Sequence, residues 1–408
     1  MGIFKDLKRK EVIAWAFYDF ANSSFALLIL SFVYPIFFKE VIAGSNGDFW
    51  WGLNVSISVL LAGLLSPIIG AIADYDSRKK IRFITFAVLA AVGTALLYFT
   101  GSGLLLFSSI LFIITSMCFE IAQTLYDSFL INISTKENAG KISGFGWGFG
   151  YLGGIAAMLL LRPFYINGFE QNLNFYKLTF PLTALFFFVF SIPIFIFIKE
   201  NKSNIKNKFS DLVKIGFSRV KNTLEEVKTH KNIGLFLIAF YLMSDALVTL
   251  FAFIPIYART TLQLTVSEIA VIFLIIQLIA FPTTLIFGII SDKISSKKML
   301  LTTLCLWIII VILLATANSK QMFYVIAFLT ALVVGSSQSI ARAWLSKIIP
   351  ENKKTEFFGF NGFANKVSAT TGPLIFGIFS VLFNQRIAMI PIALFFLASF
   401  VIFLKVKE

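Results

Sequence analysis

Six ionisable residues stand inside stretches made otherwise of apolar side chains: Asp19, Glu120, Asp127, Asp245, Arg342 and Lys366. As helix, Glu120 and Asp127 share one face, as do Asp19 with Asn22 and Gln338 with Arg342. The acidic members suit an amine, and Arg342 or Lys366 suits a carboxylate, so the set can hold a zwitterion or an anion. An acid placed among apolar groups is also a candidate carrier of a coupling proton. The competing reading is internal pairing, such as Asp127 or Asp245 with Arg342, which would close a gate or fix helix contacts. Other chemistries have few residues to work with. His230 is the single histidine, and Cys118 and Cys305 are far apart in apolar runs. These three match no zinc or iron–sulfur spacing. No Gly-x-x-x-x-Gly-Lys-Ser/Thr run is present, which excludes a P-loop pump. No cofactor and no metal are expected.

The elements that carry these residues follow from composition. Of 408 residues, 58% are hydrophobic and 14% charged, well outside the range of a soluble domain. The solvent is a bilayer. Runs long enough to cross it lie near 11–38, 49–73, 82–100, 104–131, 142–166 and 178–198. A second six lie near 233–258, 267–290, 299–317, 321–348, 357–383 and 387–404. The expected fold class is an all-α membrane protein with twelve transmembrane helices in two six-helix bundles. The domains are 1–198, a cytoplasmic amphipathic linker at 199–232, and 233–408. In the linker, Phe209, Leu212, Val213, Gly216, Phe217, Val220, Leu224 and Val227 recur at helical spacing. The net charge of +14 is not a nucleic-acid face, because the basic residues sit in short loops at alternate ends of the spans. Counting them gives 27 Lys and Arg on the side of both termini and 6 on the other, which places the termini in the cytoplasm. The basic N-terminus lacks a small-residue cleavage site and reads as a retained first span.

The two sets of six echo one another. Gly70-Ala-Ile-Ala-Asp74 precedes Arg78, Lys79 and Lys80, and Gly288-Ile-Ile-Ser-Asp292 precedes Lys297 and Lys298, at an offset of 218. Gln123 and Gln338 are 215 apart, as are Gly144-Phe145 and Gly359-Phe360. Such repeats predict two halves of like orientation with a site near the bilayer midplane. Gly70 and Gly288 permit close helix contact. Asp74 can accept from Arg78 or face a helix N-terminus, and Asp292 can do likewise near Ser143. Charge latches of this kind would favour the outward-open state. Asp127 is grouped with these gating positions.

These features resemble the major facilitator superfamily over essentially the whole chain. The Gly-x-x-x-Asp and basic loop is similar to that superfamily's signature between its second and third helices, although Asp74-Tyr-Asp-Ser-Arg78-Lys79-Lys80 lacks the central glycine. Three segments resemble its vacuole-effluxer-like branch: Trp15-Ala-Phe-Tyr18-Asp19-Phe-Ala21-Asn22-Ser23-Ser24-Phe25, Ser143-Gly-Phe-Gly-Trp147-Gly-Phe-Gly150-Tyr151-Leu-Gly153-Gly154, and Glu356-Phe-Phe-Gly359 continuing through Lys366 to Gly372-Pro373. Ser244-Asp245-Ala246 departs from the expected Asp-Gly. The resemblance implies the major facilitator fold with helices one, four, seven and ten lining a central cavity. Five of the six deep charges fall on those helices.

The expected function is secondary active transport, by alternating access with proton coupling, of a small polar solute such as an amino acid or similar zwitterion. The resemblance favours export. The alternative is a multidrug or amphiphile exporter, and behind it a non-transporting receptor or enzyme. Substrate-binding or proton-coupling candidates are Asp19, Asn22, Glu120, Asp245, Gln338, Arg342 and Lys366. Gating candidates are Gly70, Asp74, Arg78, Asp127, Gly288 and Asp292. Expected partners are the solute, membrane lipids and protons, with no nucleic acid. The richness in Phe, Ile, Lys and Asn points to a bacterial inner membrane. Trp15, Tyr18, Tyr126, Trp147, Tyr241 and Trp344 lie near the charges, where packing or interfacial anchoring is favoured over an amine cage.

Overall fold

The computed structural model describes residues 9–75, 78–135, 138–199, 218, 225, 230–349, 366–367 and 369–407. All regular structure among them is helical, as uniformly apolar runs in lipid require. The helices are α1 (Lys10–Phe25), α2 (Gly47–Tyr75), α3 (Lys79–Leu96), α4 (Leu105–Ile133), α5 (Ala139–Tyr165) and α6 (Thr179–Phe197). They continue as α7 (Lys231–Thr260), α8 (Val266–Lys293), α9 (Ser296–Thr316), α10 (Lys320–Ile348), α11 (Thr371–Leu382) and α12 (Met389–Lys405). Among the described residues, nine stretches are long and apolar enough to cross a membrane, and α11 and α12 are shorter apolar helices. One of the nine, Lys10–Ser66, turns at Gly44–Asn46 and so accommodates two crossings. The twelve expected spans are consistent with this arrangement.

The first crossing runs on past α1 through wide π turns at Ala26–Ser31 and Phe38–Ala43, flanking Val33–Phe37. Pro35 has no N–H to donate to the Ser31 carbonyl, which ends the first π turn, so the α-helical ladder loses a bond there. Most of the linker, the loop at 350–356 and the Glu356–Phe360 motif lie outside the described residues.

The chain gathers into two compact units, Met1–Phe37 with Leu64–Arg219, and Phe38–Gly63 with Val220–Glu408. In the first unit α1 packs on α5 and α6, and α3 on α4 and α6. In the second α7 packs on α11 and α12, and α9 on α10 and α12. Each pairing recurs six helices later, so the repeat seen in the sequence is also a repeat of packing.

Lysines at matched repeat positions finish helices. Lys79 donates to the Ser128 carbonyl at 3.1 Å and Lys80 to Ile196 at 3.2 Å. Lys297 donates to Leu404 at 2.8 Å and Val406 at 2.6 Å. The carbonyls of Ile196 and Leu404, in the last turns of α6 and α12, lack intrahelical donors and carry partial negative charge, which an ammonium group satisfies. Glu268 is a helix-end residue as well. It closes a capping box with Thr265 and pairs with Lys320 at 2.8 Å.

Candidate functional site

In the first unit, α1, α4 and α5 converge on Asp19. Asn22 donates through Nδ2 to Gln123 Oε1 at 2.8 Å and to Asp19 Oδ1 at 3.4 Å. Gln123 in turn donates through Nε2 to Asp127 Oδ1 at 3.3 Å. Two carboxylates and two amides are thus joined in a row across two spanning helices. Asn22 is buried, Asp19 and Gln123 are half-buried, and Asp127 is exposed. Glu120, also half-buried, sits at the middle of α4, about 20 Å from either end at the helical rise.

An aromatic wall supports this row. The Trp15 and Tyr126 rings stack with centroids 4.6 Å apart. Each side chain donates to the other's main chain, Trp15 Nε1 to the Tyr126 carbonyl at 3.3 Å and the Tyr126 hydroxyl to the Trp15 carbonyl at 3.1 Å. Tyr18 lies 4.6 Å from Tyr126 and packs edge-on against Phe83. All three side chains are buried, so they serve as packing, as expected. Trp147 is exposed.

The glycines of α5 explain how close the helices come. A methyl group added at Gly153 would enter the Phe20 backbone, and one added at Gly146 would meet the Asp19 carboxylate and the Trp15 ring. Asp19 therefore occupies room that only glycine leaves open. The Ser23 hydroxyl holds the turn by donating to the Asp19 carbonyl at 2.8 Å.

The second unit treats its acid differently. Asp245, at the centre of α7, is fully buried and accepts the Gly372 N–H at both oxygens, at 2.8 and 2.9 Å. Gly372 is in the first turn of α11, where backbone N–H groups lack partners within the helix. A side chain there would collide with Thr249 and Asp245. The Gly372-Pro373 pair lies in the opening turn of this short helix. Asp245 has no ion-pair partner among the described residues, so it meets a backbone amide and not Arg342. Gln338 is half-buried and Arg342 exposed on α10. Lys366 and Val367 pack against Gly63, whose missing Cβ would stand 3.4 Å from Lys366 Cβ.

Arg78 is exposed at the start of α3. The backbones of Gly70 and Asp74 belong to α2 and those of Gly288 and Asp292 to α8. Their side-chain surroundings, and with them both latches, lie outside the described residues.

Sequence reasoning missed Gln123 and Gly146 as site residues. Gln123 was visible only as the repeat partner of Gln338, and Gly146 only as one of several glycines.

The description of the vacuole effluxer Atg22-like family matches residues 52–408. The chain belongs to this family. The chain is similar to the uncharacterised MFS-type transporter YxiO of Bacillus subtilis, 27% identical over 98% of this chain and 95% of that one. The multi-drug resistance efflux pump PmrA of Streptococcus pneumoniae is also 27% identical, over 97% of each chain. A solved structure of a point mutant of the nucleoside transporter NupG has a TM-score of 0.72 at 12% identity, covering 98% of this chain and 99% of that one. At such identity the likeness shows the fold alone, and the fold is that of the major facilitator superfamily. This vacuole-effluxer-like chain is therefore a multi-pass membrane protein of the MFS transporter type.

Proposed function

We propose that the protein carries a small amine-bearing solute, an amino acid or similar zwitterion, by alternating access between its two six-span halves, with a coupled proton. The carrying observation is the Asp19–Asn22–Gln123–Asp127 row, polar and partly exposed on two spanning helices. Lipid penalises such a row, so it belongs on the bundle's interior or on a water-reachable face. In this reading Asp19 and Asn22 receive the amine, and Glu120 at mid-span carries the proton. Arg342 with Gln338 meets the carboxylate, Lys366 supports it, and Asp127 gates the row. Asp245 contributes by holding the start of α11. Gly70, Asp74, Arg78, Gly288 and Asp292 form the cytoplasmic latches. The strong bias of basic residues supports cytoplasmic termini, and the similar proteins of Bacillus subtilis and Streptococcus pneumoniae support a bacterial membrane.

The test is counterflow in liposomes with labelled amino acids, nucleosides and lipophilic cations. Exchange of an amino acid that disappears in Asp19→Asn, and loses its pH dependence in Glu120→Gln, supports the reading. Exchange of lipophilic cations alone would replace it with the multidrug reading, which the likeness to PmrA favours. Chemical conversion of the solute would make the protein an enzyme.

A further inference from the structure

A second polar cluster lies in the second unit, apart from every residue considered so far. It gathers around Asp48, in the first turn of α2 and only 4% exposed. Asp48 Oδ2 accepts from the Ser380 hydroxyl and from Gln385 Nε2, the latter at 2.9 Å. Lys39 Nζ stands 3.4 Å from Oδ1. Gln385 Oε1 in turn accepts from the hydroxyls of Thr260, at 3.0 Å, and Thr261. Beside the cluster Glu40 pairs with Arg259 at 3.1 Å.

The main chains meet closely around it. Trp51 donates its indole N–H to the Ala252 carbonyl at 3.0 Å. Gly377 has no room for a Cβ because the Asp48 carbonyl and Phe49 Cα fill the space, and Gly52 is similarly closed by the Pro373 carbonyl.

The bonds from Asp48 to Ser380 and Gln385, the Glu40–Arg259 pair, the Trp51–Ala252 bond and the close approaches at Gly52 and Gly377 all join residues 39–52 to residues 252–261 or 373–385. The first segment belongs by sequence to the first set of six spans, and the others belong to the second set. All the segments lie around turns at the end opposite the N-terminus, since the chain reaches that end after an odd number of crossings. A transporter of this type must part its two sets of spans at that end once in each cycle. Carboxylate hydrogen bonds withdrawn from water are strong individually and cooperative in a network.

We propose that Asp48 is the centre of a polar clasp, with Ser380, Gln385 and Lys39, which holds the end opposite the N-terminus closed and releases in the state open to that side. Gln385 extends the clasp to α7 through the two threonines, so both α7 and α11 are held. The proposal is independent of which solute is carried.

The test uses the full chain with Cys118→Ala and Cys305→Ala, spin-labelled at Asn46→Cys and Phe383→Cys, both exposed positions. Pulsed electron resonance then reads the distance between the turns. With the clasp intact a short distance dominates. Asp48→Ala should raise the ratio of long to short distances about ten-fold, the loss of roughly one charged hydrogen bond. Gly377→Val should act in the same direction by forcing a side chain between Asp48 and α11. A folded Asp48→Ala protein with an unchanged distribution overturns the proposal. If Asp48→Ala does not fold, Gln385→Ala decides: a longer distribution supports the clasp, and an unchanged one removes it.

Discussion

Asp19 and Asp127 in the first unit and Asp245 in the second are the same residue type in opposite settings. Asp19 and Asp127 lie in a row of side-chain amides and retain access to their surroundings, while Asp245 is sealed and bound at both oxygens to the main chain. The difference separates groups that can exchange partners from groups that cannot. A ligand can replace Asn22 on Asp19 at the cost of one side-chain hydrogen bond. Nothing can replace the Gly372 N–H on Asp245 without shifting the start of α11. Charge in the membrane is therefore a poor guide to function until the partner is known, and a backbone partner marks an architectural role.

The comparison can be broken in several ways. The largest effect is expected from Asp245→Ala, which strands the Gly372 N–H in the interior and should lower stability by about 2–3 kcal/mol, read as a fall in melting temperature in detergent. Asp19→Ala should cost far less stability and abolish transport; equal losses in the two variants would end the distinction. Next comes Gly153→Ala, where overpacking against Phe20 should cost roughly 1–3 kcal/mol; unchanged melting would mean that α1 and α5 can separate freely. Asn22→Ala leaves Gln123 and Asp19 half-exposed and able to find water, so about 1 kcal/mol and a weakened solute affinity are expected from melting and binding titrations. The smallest effect is Lys297→Ala, about 0.3–1 kcal/mol from carbonyls at the end of α12. A loss larger than that of Asp245→Ala would show that helix ends outweigh the buried acid.

The spans and the repeat were legible because lipid imposes long apolar runs and because Gly70, Asp74 and Lys79 recur as Gly288, Asp292 and Lys297. Asp19 and Asn22 were legible as a pair because helical spacing is local. The partner of Asp245 was not, because a backbone N–H is carried by nearly every residue type and this one is 127 positions away. Asp48 drew no notice for a related reason. It stands at a span boundary, where an acid is ordinary, and its partners Ser380 and Gln385 lie 332 and 337 positions away. Gln123 illustrates the remaining gap, since repetition marked the position without indicating what the amide would bridge.

Asn232 at the start of α7 and Lys407 beyond α12 exchange reciprocal hydrogen bonds, 2.7 Å from the Lys407 N–H and 3.0 Å to its carbonyl. Lys297 grips the same stretch through the carbonyls of Leu404 and Val406. The segment that leads into Asn232 thus arrives at an anchorage and not a swivel. A pull along it would reach α7, α9 and α12 together, so a tag or fusion grafted after residue 407 would load the same anchor from its other side.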